Sequence, residues 1–405
     1  MIPFAVGATL CRELFRLRRD QELATQGRSH SCWLLLLAMT LLVACNPEPT
    51  APPDRPTLTR TLGTAASAGF DEITAPLNLE FPRDHGAHPR HRVEWWYVTT
   101  RLQAADGRRF GAQFALFRYA LRPEDAATRE DWRSGQIYLA HAAITDIDGG
   151  QFRFDEQSAR GAAGLAGAEH APFHAWLGDC SIGAQTVATF LPLQLKCGGS
   201  NFGYDLVLSG IDTPVLHGDQ GYSQKSDQGS ASAYYSYPQL SARGELWIDA
   251  ARHQVTGKAW YDHEWTSGVL AGNQVGWDWF SLRLSDGSAL MLFNIRRQDG
   301  SVASRRGSLI AADGSVRTLS EGDLEVRSNG HWTSPHSGVR WPLRWTLSSQ
   351  SLDLKLDIIP TQDAQEFDGA VRYWEGAIDA SGTRGGKPVT AEGYLELTGY
   401  GPDAK

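Results

Sequence analysis

Residues 260–265 read W-Y-D-H-E-W and hold the side chains best suited to acid chemistry. In a regular strand Trp260, Asp262 and Glu264 share one face, and the residues between them point to the opposite face. If the first face lines an apolar pocket, desolvation and the like charge of the two carboxylates would both raise a carboxyl pKa. The motif would then hold a general acid beside its conjugate base, with His263 as a third candidate catalytic group.

Such an acid can protonate an isolated alkene. The surrounding aromatic rings would stabilise the resulting carbocation by cation–π attraction until water adds to it. A structural role is the alternative. Asp262 and Glu264 would then hydrogen-bond to loops or pair with arginines that hold two parts of the molecule together.

Two further carboxylates, Asp278 and Glu94, alternate with apolar residues and are predicted to point towards apolar faces. A buried charge needs a partner. Both are therefore candidate pocket groups, Asp278 as a catalytic residue and Glu94 as a ligand contact. The favoured alternative is that both are buried anchors, satisfied by backbone donors or by Arg101 or Arg283.

The histidines raise the question of a metal site. His85, His88 and His91 are spaced by three, but Gly86 and Pro89 make this segment a loop, where that spacing does not cluster side chains. A site built from His85 or His88, with His141 or His263 and a carboxylate, is conceivable. We predict no metal and no cofactor.

Neither G-x-S-x-G nor H-E-x-x-H occurs, so the sequence gives no support for classical hydrolase chemistry.

The chain repeats itself. An aromatic strand, an Arg-Leu pair and an Asp-Gly turn occur in residues 94–110 and again in residues 277–290. Residues 255–264 also align without gaps with residues 389–398, and this alignment matches Asp262 with Glu396. Repeats of this length predict two related β-domains, residues 74–268 and 269–405, each with its own core.

Both domains are predicted to be all-β. The chain has 42 glycines and many Asp-Gly or Gly-rich turns, and segments such as residues 339–347 and 352–358 alternate apolar and other residues with period two. Long antiparallel strands with aromatic residues on one face favour barrels that enclose a pocket. Only residues 123–134 are typical of a short helix.

The N-terminal sequence indicates export and lipid anchoring. Residues 32–44 are an apolar run of signal-peptide length, and the run ends in Leu-Val-Ala-Cys, which matches a lipobox with Cys45 as the lipidated residue. Residues 1–44 are therefore predicted to be a lipoprotein signal peptide, and the proline-rich residues 45–73 a solvated tether. Asn46 rather than Asp follows the cysteine, which favours the outer membrane, facing the periplasm.

The remaining cysteines fit a periplasmic location. Cys180 and Cys197 are left as one pair and are predicted to form a disulfide, with two buried thiols as the alternative.

The net charge of −8 makes nucleic acid an unsuitable partner.

Seven motifs together resemble the carotenoid 1,2-hydratase and AttH-like family. They are D-H-G-A-H-P (84–89), E-W-W-Y (94–97), H-A-A-I-T-D (141–146), Y-Y-S-Y-P-Q-L (234–240), W-Y-D-H-E-W (260–265), G-W-D-W-F-S (276–281) and G-Y-L-E-L-T-G-Y (393–400). The resemblance implies two tandem lipocalin-like antiparallel barrels. It also implies either a hydratase of acyclic carotenoids or a secreted lipoprotein associated with an ABC-type transport system.

Two functions follow from these observations. The favoured one is a lipid-anchored protein that binds a long apolar molecule, an isoprenoid or another lipid, with service to an ABC transporter as a further expectation. The alternative is a hydro-lyase of the carotenoid 1,2-hydratase type. In both, parts of the aromatic motifs line one cavity. The predicted ligand contacts besides the catalytic candidates are Glu94, Trp95, Trp96, Tyr97, His141, Tyr235, Trp260, Trp265 and Trp277.

Overall fold

A computed structural model describes residues 68–124, 133–226, 229–268 and 270–401. The predicted signal peptide, Cys45, most of the tether and most of the predicted helix at 123–134 lie outside these residues. In the part of the chain that is described, no helix combines the length and the apolar character needed to cross a membrane.

The described chain is built almost entirely of antiparallel strands, with short 3₁₀ turns at Arg83–His85 and Glu321–Asp323. The strands up to residue 266 are β1 (Val93–Ala104), β2 (Arg109–Ala120), β3 (Gln136–Asp146), β4 (Gln151–Arg160), β5 (Ala166–His170), β6 (Phe173–Leu177), β7 (Cys180–Ala184), β8 (Leu193–Gly198), β9 (Phe202–Ser209), β10 (Val215–Leu216), β11 (Tyr222–Gln224), β12 (Ala231–Ile248) and β13 (Ala251–Thr266). The later strands are β14 (Gln274–Leu284), β15 (Ala289–Arg297), β16 (Val302–Ile310), β17 (Val316–Leu319), β18 (Glu325–Thr333), β19 (Arg340–Ser349), β20 (Leu354–Pro360), β21 (Glu366–Asp368), β22 (Arg372–Arg384) and β23 (Lys387–Thr398).

These strands form two sheets. The first sheet runs in the order β4-β3-β2-β1-β13-β12-β9-β8-β7-β6-β5, with β10 and β11 paired to β12. The second runs β17-β16-β15-β14-β23-β22-β20-β19-β18, with β21 paired to β22. The first sheet is a nearly closed barrel and the second a half-barrel, so the predicted all-β fold with tandem lipocalin-like barrels is confirmed.

The repeats seen in the sequence occupy matching positions in the two sheets. In each sheet the first strand pairs with the last, β1 with β13 and β14 with β23. Tyr97 lies opposite Asp262 in the first pair, and Trp279 lies opposite Glu396 in the second. These are the partners that the two independent sequence alignments equate, so one pairing register serves both halves of the chain.

Three apolar clusters hold the fold together. One fills the first barrel, one lies inside the second sheet, and the third lies between the sheets and includes Tyr97, Trp260 and Trp279. The third cluster exists because strands such as β2 and β15 are apolar on both faces, and a strand buried on both faces must be covered from both sides. A Cβ at Gly111 of β2 would collide with the hydroxyl of Tyr394 on β23, so glycine there permits the close approach.

Polar and covalent links support this packing. The Arg101 guanidinium of β1 donates to the carbonyl oxygen of Ile378 at 2.7 Å and to Asp379 at 2.9 Å, which ties the first sheet to the second. Cys180 of β7 and Cys197 of β8 form a disulfide within the first sheet.

Candidate functional site

A pocket lies where the two sheets face each other, and the equivalent strand pairs of both halves contribute to it. It contains about 1040 Å³ of space free of protein atoms, part of which is open to solvent. Most of its wall is apolar and aromatic, and among the lining residues are Val93, Trp95, Phe117, Leu139, Trp277, Trp279, Phe293 and Ile295. A concave apolar wall with a few convergent polar groups is typical of small-molecule sites.

Asp262 of β13 is the first of these polar groups. Its Oδ1 accepts hydrogen bonds from Trp260 Nε1 at 2.7 Å and from the Ser236 hydroxyl. The residue is only 3% exposed. Burial, reinforced by the charge of Glu264, raises the pKa of Asp262 to about 7, although the Ser236 and Trp260 hydrogen bonds act in the opposite direction. Asp262 can therefore both give and take a proton near neutral pH.

Glu264, two residues along the same strand face, has a cation beside it. Lys225 Nζ lies 2.7 Å from Glu264 Oε1, and the Ser232 hydroxyl donates to the same oxygen. The Lys225 ammonium also lies 4.1 Å from the centre of the Phe293 ring. This placement lets Lys225 balance the charge of Glu264 inside a largely apolar pocket.

The second sheet adds a pair of carboxyls, Glu375 of β22 and Glu396 of β23, which are direct partners across the two strands. Glu375 accepts hydrogen bonds from the Tyr97 hydroxyl and from Gln113 Nε2, and Glu396 accepts one from Trp277 Nε1 at 3.0 Å. Burial raises the pKa of both carboxyls, and the charge of Glu396 adds to the rise at Glu375. Two acids side by side in a largely apolar pocket cannot readily both ionise, so this pair holds protons at neutral pH.

His141 of β3 closes another side of the pocket. Its Nδ1 lies 2.7 Å from the Tyr373 hydroxyl, and its Nε2 lies 3.0 Å from Glu156 Oε2. Burial lowers the pKa of His141 below its ordinary value, so the neutral imidazole is favoured. The neutral ring can accept a proton at one nitrogen while it donates from the other.

The site therefore combines an apolar wall, one carboxyl poised near neutral pH, a carboxyl pair that retains protons and a hydroxyl–imidazole contact. The family model of AttH-like proteins matches residues 72–400.

The chain belongs to the AttH-like family.

Solved structures that are similar to this AttH-like chain include the following two. A candidate AttH protein from Nitrosomonas europaea is 33% identical, with 82% of this chain and 100% of that chain covered and a TM-score of 0.71. Kievitone hydratase from Nectria haematococca is 15% identical, with 88% and 100% covered and a TM-score of 0.64, which shows a shared fold. No curated protein matches the chain. The family expected from the seven motifs is confirmed.

The structure divides the predicted site residues of the AttH-like chain into two groups. Trp95, Tyr97, His141, Asp262, Glu264 and Trp277 line the pocket. Trp260 is fully buried behind it and holds Asp262 through its indole nitrogen.

The second group, Glu94, Trp96, Tyr235, His263 and Trp265, belongs to the interior of the first barrel rather than to the pocket. The reason is strand alternation: residues one position apart on β1 or β13 point to opposite faces. His263 Nε2 lies 2.9 Å from Glu94 Oε1, and His263 Nδ1 lies 3.0 Å from the Tyr235 hydroxyl.

Glu94 is the centre of a buried ionic network. Arg118 Nε lies 2.6 Å from Glu94 Oε2, and His88 Nδ1 lies 2.7 Å from Glu94 Oε1. Burial alone would raise the pKa of Glu94, but the charges of Arg118 and His88 hold it well below its ordinary value. The ligating atoms of His88, Glu94 and His263 lie within 4.8 Å of one another, a spacing that would suit a metal ion. Arg118 pairs with Glu94 Oε2, and both histidines lie at hydrogen-bond distance from Oε1. Because these contacts satisfy both carboxylate oxygens, we assign the cluster to barrel stability.

Asp278 also lies outside the pocket. Arg296 Nε donates to its Oδ1 at 2.9 Å, and the Tyr400 hydroxyl donates to the same oxygen at 2.8 Å. Asp278 is therefore a buried anchor, which is the interpretation that the sequence favoured. Its cation is Arg296 rather than Arg101 or Arg283. Arg101 contacts Asp379 instead, and Arg283 lies 3.6 Å from Glu392.

Four pocket residues that carry chemistry were missed from the sequence: Lys225, Tyr373, Glu375 and Glu396. The repeat contained a signal for three of them. Glu396 aligns with Asp262. The strand pairing extends this match to the neighbouring strand: Tyr373 and Glu375 pair with β23 in the positions where Tyr234 and Ser236 pair with β13. Lys225 comes from the segment after β11, which no motif covers.

Proposed function

We propose that this protein binds a long apolar, unsaturated molecule between its two barrels and catalyses acid-promoted addition of water to an isolated alkene, or the reverse elimination. The observation that carries the proposal is Asp262, a carboxyl that stands in an aromatic pocket with its pKa raised to about 7. A carboxyl in this state is a general acid that works near neutral pH.

The reaction balances with the groups present. The Asp262 proton adds to one alkene carbon, and the π electrons of that bond form the new C–H bond. Positive charge develops on the other carbon, where rings such as Trp95 and Trp277 can stabilise it. A water oxygen then bonds to that carbon and loses a proton to a carboxylate. Kievitone hydratase, which has the same fold, is named for a hydration reaction, and this supports the class of chemistry.

Binding without turnover is the second candidate function. The mostly apolar pocket wall favours it, because such a wall would hold a lipid or isoprenoid whether or not a reaction follows. Lipidation at Cys45, an outer-membrane location facing the periplasm and service to an ABC transporter belong to this proposal. They rest on the Leu-Val-Ala-Cys motif and the proline-rich segment after it, and on the family resemblance.

One pair of experiments separates the two functions. Mass spectrometry of organic extracts from the natively purified protein would identify a bound apolar molecule. The purified protein would then be incubated with lycopene, or squalene as a simpler acyclic polyene, in ¹⁸O-labelled water, and the product examined for the label. Turnover by the wild type that is lost in Asp262→Asn, with retained binding, supports hydration.

The matched control is Asp179→Asn, which changes an exposed carboxyl in the turn between β6 and β7. It should behave as the wild type. Binding of the polyene with no label incorporated by any form would favour the binding function. Failure to bind any apolar molecule would overturn both functions.

A further inference from the structure

The pocket is partly open to solvent, but an apolar ligand that fills it would leave the most buried acids without direct contact with bulk water. Asp262 and Glu375 are 3% and 1% exposed, and their hydrogen-bond partners are themselves buried. An acid that cannot be reprotonated would act once and stop. A chain of groups that reaches the surface would recharge the acid that gave its proton and discharge the carboxylate that took one from water.

One chain of hydrogen bonds in the described structure makes that connection. Glu156 of β4 has a side chain that is 24% exposed, and its Oε2 lies 3.0 Å from His141 Nε2. On the other side of the ring, His141 Nδ1 lies 2.7 Å from the Tyr373 hydroxyl. Tyr373 lines the pocket. The carboxylate, imidazole and phenol therefore lead in sequence from solvent to the pocket, and the last step crosses from the first sheet to the second.

The directions of the hydrogen bonds are consistent with this order. Gln113 Nε2 donates to the Tyr373 oxygen at 3.1 Å, so the phenol proton is free to point to His141 Nδ1 or into the pocket. In the tautomer with its proton on Nδ1, the neutral imidazole donates to the Tyr373 oxygen, and its free Nε2 can accept a proton from Glu156. Once water has protonated Glu156, each group donates towards the pocket and accepts from the solvent side, as inward proton transfer along the chain requires.

The inner end of the chain lies beside the carboxyl pair. Tyr373 and Glu375 are two residues apart on β22, so their side chains share one face. Gln113 Nε2 donates to both, which brings the phenol oxygen and the carboxyl to the same nitrogen. The imidazole is held rigidly, since its ring is stacked 4.3 Å from Phe367. The two backbone-to-carboxylate contacts from Ala370 fix Glu156 at the outer end.

We propose that Glu156, His141 and Tyr373 form a proton relay between solvent and the pocket, with Tyr373 as the group that delivers the proton. The relay deepens the proposed function and rests on it. In one cycle the Tyr373 hydroxyl gives its proton to a pocket carboxylate and takes one from His141 Nδ1. His141 in turn takes a proton at Nε2 from Glu156, which is recharged by water. One proton enters and one leaves each group, so no charge accumulates, and the imidazole ends with its proton on Nε2. Outward passage of the proton that water releases during hydration restores the Nδ1–H tautomer.

The test needs no substrate. A protonated carboxyl has an infrared carbonyl band that shifts when O–H becomes O–D, so rapid dilution of the full chain into D₂O reports how fast solvent protons reach the pocket acids. Loss of the band in Asp262→Asn and Glu375→Gln assigns it to these groups. The relay predicts exchange at Glu375 that is slower by about tenfold or more in Tyr373→Phe, which keeps the ring and removes only the hydroxyl. Glu156→Gln and His141→Gln should slow it as well.

The matched control is Tyr119→Phe, which removes a phenol from the same pocket but outside this chain of hydrogen bonds. It should exchange at the wild-type rate. If the bands are present and all the variants exchange as the wild type does, the relay is wrong and the proposed function survives. If the wild type shows no protonated carboxyl band at neutral pH, the proposed function itself fails and the relay fails with it. Glu156 lies at the surface, so its variant keeps the test decisive should Tyr373→Phe not fold.

Discussion

Asp262→Asn should make the protein more stable at neutral and alkaline pH. Burial raises the pKa of this carboxyl from the ordinary 3.8 to about 7. At 1.36 kcal/mol for each pKa unit, the folded protein loses about 4 kcal/mol of stability when Asp262 must be ionised. Asparagine keeps the shape and an oxygen that accepts from Trp260 and Ser236, but it cannot ionise.

The pH window follows from the two pKa values. Between pH 3.8 and about 7 the folded protein holds a proton on Asp262 that the unfolded chain has released, so the free energy of unfolding falls as pH rises through this range. The variant lacks this contribution. Its advantage over the wild type should grow from near zero at pH 4 to about 4 kcal/mol at pH 8 and then stay constant. Glu375 and Glu396 have raised pKa values in both proteins, so their effects largely cancel in the difference.

The measurement is urea unfolding of both proteins from pH 4 to pH 9, followed by tryptophan fluorescence and by circular dichroism. Agreement between the two signals is required before a single free energy is extracted. Asp179→Asn, on the surface, should show no such growth. A wild-type-to-variant difference that is the same at every pH would mean that Asp262 ionises normally. The carboxyl would then be no acid at neutral pH, and the proposed function would lose its main support.

Three other predictions concern the anchor, the disulfide and the first barrel. Cys45→Ser should release the protein from membranes into the soluble fraction, and a variant that still sediments with the outer membrane at high salt would contradict the lipobox interpretation. Replacing Cys180 and Cys197 together by alanine should cost roughly 3 kcal/mol of unfolding free energy, because the disulfide closes a short loop; an unchanged melting curve would contradict this. Arg118→Met should cost about 3 to 5 kcal/mol, since it leaves Glu94 buried without its cation; thermal unfolding would measure it, and a loss below 1 kcal/mol would mean that the histidines suffice.

Much of the fold could be predicted from the sequence, because buried and exposed residues alternate along a strand and the repeat shows the same strand pattern in both halves of the chain. The alternation in W-Y-D-H-E-W correctly separated Asp262 from His263. The repeat correctly placed Asp262 and Glu396 at matching positions of the two sheets.

The membership of the pocket was harder to predict, for a physical reason. The strands at the centre of the molecule are apolar on both faces, one covered by the barrel interior and the other by the second sheet. Hydrophobicity therefore does not say which face meets the pocket. Trp95 and Trp96 are adjacent and alike in type, yet only Trp95 lines it. Lys225 enters the pocket through long-range packing, which local sequence does not encode.

The duplicated fold also explains how a nearly symmetric frame can hold an asymmetric set of acids. Asp262 and Glu396 are equivalent, but their neighbours differ. The first half places Ser236 beside its acid, where the second half places Glu375. The remaining carboxyl of the first half, Glu264, has Lys225 as a counter-charge.

The side-chain carboxyl of Glu375 has only the neutral Tyr97 and Gln113 as hydrogen-bond partners in the described structure. Its protonated form is therefore the more stable one in the apolar pocket. One side of the pocket thus holds a charge-balanced carboxylate and the other a reserve of protons. Addition of water to an alkene needs both a donor and an acceptor of protons, and two equivalent acids in equivalent surroundings would have supplied only one kind. The divergence of the neighbours, rather than of the acids themselves, is what gives the two halves different roles.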